Sequence, residues 1–141
     1  MKPIHRHNAR TYVLQALYAW HVSKNLPRSV EAEWIETASW KKADQEYFKE
    51  LFRGVVEHVD ELDALMQPYL NRPLQRLSAI ELNIMRSAIY ELKYRIDVPC
   101  RVVINEALEL TKQFGNIEGF KFVNGVLDKV AKGLREIEAR T

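Results

Sequence analysis

Phe122, Gly125 and Lys129 place an aromatic ring, a bare stretch of backbone and an ammonium group within about two turns of one candidate helix. The apolar stripe of that helix centres near Val123, so Phe122 lies about 100° off centre, on the flank that carries Lys129. Stacking of an unpaired nucleobase beside a phosphate suits such an arrangement. Packing of Phe122 beneath a neighbouring helix suits the same position. Tyr18 has the same two placements open. It falls about 120° or more from the apolar stripe of its own helix. Its ring either stacks a base while Arg6 and Arg10 hold phosphates, or sits half-buried with its hydroxyl bonded. Glu81 falls inside the apolar arc of its helix. The capping-box spacing Ser78-x-x-Glu81 accounts for it, and contact with a partner protein is the alternative. Tyr69, Arg72, Arg76 and Arg86 cluster around that helix start and offer a protein or RNA surface.

Catalysis finds less support. His5, His7, His21 and His58 have no metal-ligand spacing with cysteine or carboxylate neighbours. His58 is expected to be solvated, beside the polar face of its helix. Cys100, after Pro99 at a helix start, has no histidine close in sequence to activate it, and a structural role is expected. The five glycines form no phosphate-cradling loop. The expectation is therefore a non-enzyme with no catalytic residue, no metal and no cofactor.

The chain has 141 residues, 47% of them hydrophobic and 28% charged, which suits a single globular domain with a real core. No apolar run is long enough to span a bilayer, so no membrane partner is expected, and Met1–Arg10 is not a secretory signal. One cysteine fits a reducing, cytoplasmic setting. The net charge of +2 hides an asymmetry: residues 1–30 hold five cations (Lys2, Arg6, Arg10, Lys24, Arg28) and no acid. The remaining residues hold sixteen cations against nineteen acids. A basic arm over residues 1–10 on a mildly acidic body suggests an anionic partner.

The elements that must position these residues read as helix throughout. A first helix is expected from about Asn8 to Ser23, with Ala9, Val13, Ala16, Leu17 and Trp20 on one face. Asn25–Pro27 breaks it, and a short helix follows from Ser29 to Ala38 with Ser29 as its cap. A long helix runs from Asp44 to Met66, striped by Phe48, Leu51, Phe52, Val55, Val59, Leu62 and Met66. Pro68 and Pro73 bracket a connector. Ser78 opens a helix to Arg95 whose inward residues are Ile84, Met85, Ala88, Ile89 and Leu92. Pro99 to Gly115 encloses the next. The last runs from Gly119 to Glu138, lined by Phe120, Val123, Val126, Leu127, Val130, Leu134 and Ile137. The fold expected is all-α, a single domain of six or seven helices in two small packed bundles, over residues 11–67 and 74–138. Residues 25–43 are mute, and Trp34 and Trp40 are open between core and surface.

Seven sequence pieces, in order, resemble the NusB family of bacterial transcription antitermination factors. They are Ala9 to Tyr18, Phe48-x-x-Leu51-x-x-Gly54-Val55, Pro68-Tyr69-Leu70 with Arg76-Leu77 and Ile80-Glu81, Ala88-x-Tyr90-Glu91-Leu92, Pro99, Ile104-Asn105-Glu106-Ala107, and Lys121 to Lys129. The resemblance implies an all-α fold of two helical bundles. It implies binding of boxA-type single-stranded RNA together with NusE, a small-subunit ribosomal protein. It further implies a place beside RNA polymerase with other Nus factors, notably on ribosomal RNA operons. By the same resemblance Lys2, Arg6, Arg10, Tyr18, Lys121, Phe122 and Lys129 face RNA, while Tyr69, Arg76 and Glu81 lie at or near the junction with NusE. His5 and His7 stand where the family's arm is often richer in arginine, so RNA affinity is expected to rise as pH falls through the histidine range. Two other readings compete. A purely protein-binding scaffold has no RNA affinity. A NusB-like domain also opens certain bacterial RNA cytosine methyltransferases, a reading that expects a methyl-donor domain with a Gly-rich loop, which these residues do not hold.

Overall fold

The structure is a computed structural model and describes residues 2–136. Among the described residues it holds seven α-helices, two short 3-10 turns and no strand, so the all-α expectation stands. Ile137 and Glu138, expected to close the last helix, lie outside the described residues. The chain divides between Glu57 and His58 into two compact units.

The first unit comprises α1 (Pro3–Ser23), α2 (Pro27–Thr37) and α3 (Gln45–Glu57). Ala9, Val13, Leu14, Ala16 and Leu17 of α1 are buried, as are Phe48, Leu51, Phe52 and Val55 of α3. Both sets follow helical spacing, and each large side chain removed from water contributes about 1.5–3 kcal/mol. α1 begins at Pro3 rather than near Asn8, so most of the expected basic arm is its first two turns. Pro3 suits a first helical position. The Asp44 N–H donates to the His5 carbonyl (3.0 Å), and Asn8 Nδ2 donates to the Lys42 carbonyl (2.8 Å), which tie this end of the helix down. α2 likewise starts at Pro27 with Leu26 as its cap, not at Ser29. The mute segment proves to be aromatic packing. Trp34 and Trp40 are half-buried and both meet the Tyr12 ring, at centroid distances of 5.5 and 5.2 Å. Trp40 Nε1 donates to the Ile35 carbonyl, which satisfies its polar end.

The second unit comprises α4 (Val59–Met66), α5 (Ala79–Tyr94), α6 (Cys100–Phe114) and α7 (Ile117–Leu134). The 3-10 turns Gln67–Tyr69 and Leu74–Arg76 link α4 to α5. α5 packs against α4, α6 and α7, so every residue from Glu81 to Leu92 is buried. An enclosed helix is expected to be apolar all round, yet this one carries Asn83, Arg86, Ser87 and Glu91 inside. Arg86 is held by a bidentate pair with Asp63 of α4 (2.8 Å twice) and also donates to Asn83 Oδ1. It therefore ties α4 to α5, which corrects its grouping with Tyr69, Arg72 and Arg76 as a surface cation. Arg135 is buried and donates to the carbonyls of Glu91, Leu92, Arg95 and Val98, closing the C-terminal end of α5 and the turn after it.

The long helix expected over Asp44–Met66 is interrupted at His58, whose backbone (φ −112°, ψ 21°) leaves the helical region. Its imidazole is half-buried, stacked on Tyr94 at 4.8 Å, with Nδ1 3.1 Å from Glu61 Oε2. A solvated His58 is thus corrected to a packed one. No proline or glycine marks the break, and the apolar period runs straight across it.

Candidate nucleic-acid interface

In the first unit the candidate residues all sit on α1. Lys2 precedes it and is exposed. Arg6 is half-buried, its guanidinium 4.3 Å from the centroid of the Tyr47 ring. Arg10, one turn on, is 5% exposed and reaches the same ring at 5.4 Å. Such contacts hold a guanidinium through the ring quadrupole. Tyr18 is 41% exposed, and four residues further along the helix Val22 is exposed as well. The wheel argument for Tyr18 as an outward residue agrees with this placement.

In the second unit the candidates lie on α5, on α7 and in the connector between α4 and α5. Ser78 caps α5 by accepting the Glu81 N–H at 3.2 Å, the half of the capping box that the spacing Ser78-x-x-Glu81 implied. The Glu81 side chain extends toward the first turn of α7. A Cβ built on Gly119 would fall 2.2 Å from Glu81 Oε2, so this carboxylate occupies space that any side chain at residue 119 would fill. Asn116 caps α7 by accepting the Gly119 N–H at 2.8 Å. A carboxylate beside a helix N-terminus is electrostatically favoured. Gly119 was no candidate on sequence grounds, where it read as a helix start. The sign in the sequence was the pattern Asn116-x-x-Gly119, a cap followed by a residue too small to displace a neighbour.

Lys121 and Lys129 are exposed, and Phe122 between them is half-buried. The ring is partly covered by Arg72 from the connector, whose guanidinium lies 5.3 Å from its centroid. Its burial is partial, and the cation over it is itself exposed. Gly125 is exposed, and a Cβ there would meet nothing within 4 Å. Tyr69 is 40% exposed and Arg76 is exposed.

The charge state of these groups follows from their neighbours. Arg86, Lys93, Arg95, Lys112 and Lys132 of this unit form ion pairs with Asp63, Glu61, Asp97, Glu109 and Asp128. Among the described residues Arg72, Arg76, Lys121 and Lys129 form no such pair, so their charge faces outward. Glu61 is different. Hydrogen bonds from Lys93 first, then from the Tyr94 hydroxyl, hold its carboxyl below the usual range, and Lys93 and Tyr94 are raised in return. Cys100 is buried, and among the described residues no group of His, Cys, Asp and Glu could hold a metal ion. No helix among the described residues is long and apolar enough to cross a membrane.

Known proteins resemble this chain along nearly its whole length. The model of the NusB family matches residues 7–132. The transcription antitermination protein NusB of Idiomarina loihiensis is 47% identical over 135 residues, spanning 96% of this chain and 97% of that protein. The corresponding protein of Pseudoalteromonas atlantica is 50% identical over 138 residues, spanning 98% and 99%. Among solved structures, a crystallised complex of the antitermination factors NusB and NusE with double-stranded RNA contains a chain that superposes with a TM-score of 0.85 at 28% identity. The match covers 94% of this chain and 99% of that one.

Proposed function

Because this chain belongs to the NusB family, whose matched relatives are transcription antitermination proteins, we propose that it works without catalysis, by binding RNA together with NusE. The RNA is of boxA type, and the assembly joins RNA polymerase with other Nus factors on ribosomal RNA operons. Lys2, Arg6 and Tyr18 of the first unit and Lys121, Phe122 and Lys129 of the second face the RNA. Tyr69, Arg76 and Glu81 serve the junction with NusE. Arg10 takes a supporting part: a guanidinium with 5% exposure on the Tyr47 ring holds α1 on α3 and lends its field to the phosphates.

The observation that carries this reading is the aromatic ring of Phe122 set among cations that, among the described residues, no carboxylate pairs with. Charge of that kind supplies affinity through displaced counterions, and the ring supplies a sequence-tolerant stacking surface. The solved relative was crystallised with double-stranded RNA, whereas an aromatic platform recognises unstacked bases. The test therefore measures binding of labelled boxA RNA, a scrambled strand and a duplex, with and without NusE, at two salt concentrations. Selective boxA binding that tightens with NusE and weakens with salt supports the proposal. Binding of NusE with no RNA affinity in any form would replace it with a protein-binding scaffold.

A further inference from the structure

We infer that Arg72 is an RNA-contacting residue of this surface, presenting its guanidinium plane to a nucleobase and its N–H edge to the adjoining phosphate, with the Phe122 ring as its backing. This rests on the RNA reading above and adds a residue to it.

Arg72 sits in the short connector between the two 3-10 turns, and its backbone is held on both sides. The Leu70 N–H donates to the Gln67 carbonyl at 3.2 Å, and the Arg76 N–H donates to the Pro73 carbonyl at 2.9 Å. Leu70 is extended (φ −85°, ψ 142°), and Pro73 (φ −61°, ψ 147°) restricts the residue before it to extended backbone as well. The side chain is exposed, yet its guanidinium is placed 5.3 Å from the Phe122 centroid. Among the described residues no carboxylate pairs with it, whereas the cations Arg86, Lys93, Arg95, Lys112 and Lys132 of the same unit are all paired.

A guanidinium is flat and has two faces. With its Cζ 5.3 Å over the Phe122 ring, the guanidinium is placed to offer a face to a base, and its N–H edge carries donors for phosphate oxygens. Unstacked RNA bases stack on arginine planes as readily as on aromatic rings. One turn along α7 from Phe122, Gly125 leaves the approach clear, since even a Cβ there would touch nothing of the chain. A ring holds the arginine in place without neutralising it, so stacking and phosphate binding come from one residue.

The test uses the full chain with NusE and single-stranded boxA RNAs carrying 2-aminopurine at each position in turn. Quenching at one position marks the stacked base. Arg72→Ala is expected to weaken binding about 5- to 100-fold and to abolish the quench, with melting temperature unchanged because the residue is exposed. Arg72→Lys is expected to keep the salt dependence but lose the quench, since an ammonium has charge and no plane. Wild-type affinity and quench in Arg72→Ala, or a full quench in Arg72→Lys, would overturn the inference. If Phe122→Ala loses RNA while Arg72→Ala does not, the inference falls and the RNA reading stands. If the wild-type chain binds no RNA, both fall.

Discussion

Gly125→Ala sets stability against function at a single atom. Gly125 lies in the interior of α7, its φ is not positive, and a Cβ there meets nothing within 4 Å. Neither backbone conformation nor packing within the described residues calls for glycine. Alanine should therefore stabilise the helix by about 0.5–1 kcal/mol through propensity and a less flexible unfolded chain. In a domain of this size that raises the melting temperature by about 2–3 °C. The helix instead keeps a residue that weakens it, next to Phe122 and between Lys121 and Lys129. If a partner's backbone or sugar approaches this face at contact distance, the added methyl group forces it outward. Overpacking of this kind costs about 1–3 kcal/mol, or about 5- to 150-fold in RNA affinity. Gly133 is the internal control. It is exposed on the same helix, and a Cβ there also meets nothing within 4 Å. Gly133→Ala should stabilise the chain and leave binding unchanged. Thermal melts and RNA titrations with NusE on both variants decide the matter. A more stable Gly125→Ala with wild-type binding would refute close approach at this face. A less stable one would refute the packing argument itself.

Gly119→Ala should push the Glu81 carboxylate out of its place beside α7, because the new Cβ would lie 2.2 Å from Oε2. NusE affinity measured by calorimetry should fall in this variant as it does in Glu81→Gln, and a loss in one without the other would separate the two residues. Arg135→Ala should be the costliest of these changes, about 3–5 kcal/mol in urea unfolding, since three buried carbonyls and a part-buried one lose a charged donor together; a cost under about 1 kcal/mol would mean water replaces it. Glu61, whose carboxyl is held low by Lys93 and Tyr94, stabilises the fold above its unfolded value near 4.5 and loses that contribution as pH falls through the lower folded value. Glu61→Gln should therefore flatten stability against pH on the acid side, and an unchanged acid limb would remove Glu61 from that balance.

Apolar spacing made the helices legible because a residue's face depends on its own position along a regular helix. Most stripe residues of α1, α3 and α7 are buried, with Trp20, Phe120 and Leu134 half-buried, and Glu81 lies within the buried arc as the wheel had it. Family membership was legible too, from short pieces spread in order along the chain. The break at His58 was not, because a stacked Tyr94 and a nearby Glu61 belong to other turns and other helices. The same holds for Arg86 on Asp63, Arg135 on four carbonyls, and Arg10 buried on Tyr47. Composition and period determined which residues this chain hides and which class of partner its charge favours. Tertiary structure alone decided which cations are spent on carboxylates or rings and which face outward, because ion pairs and ring contacts between helices depend on distances that sequence spacing does not encode.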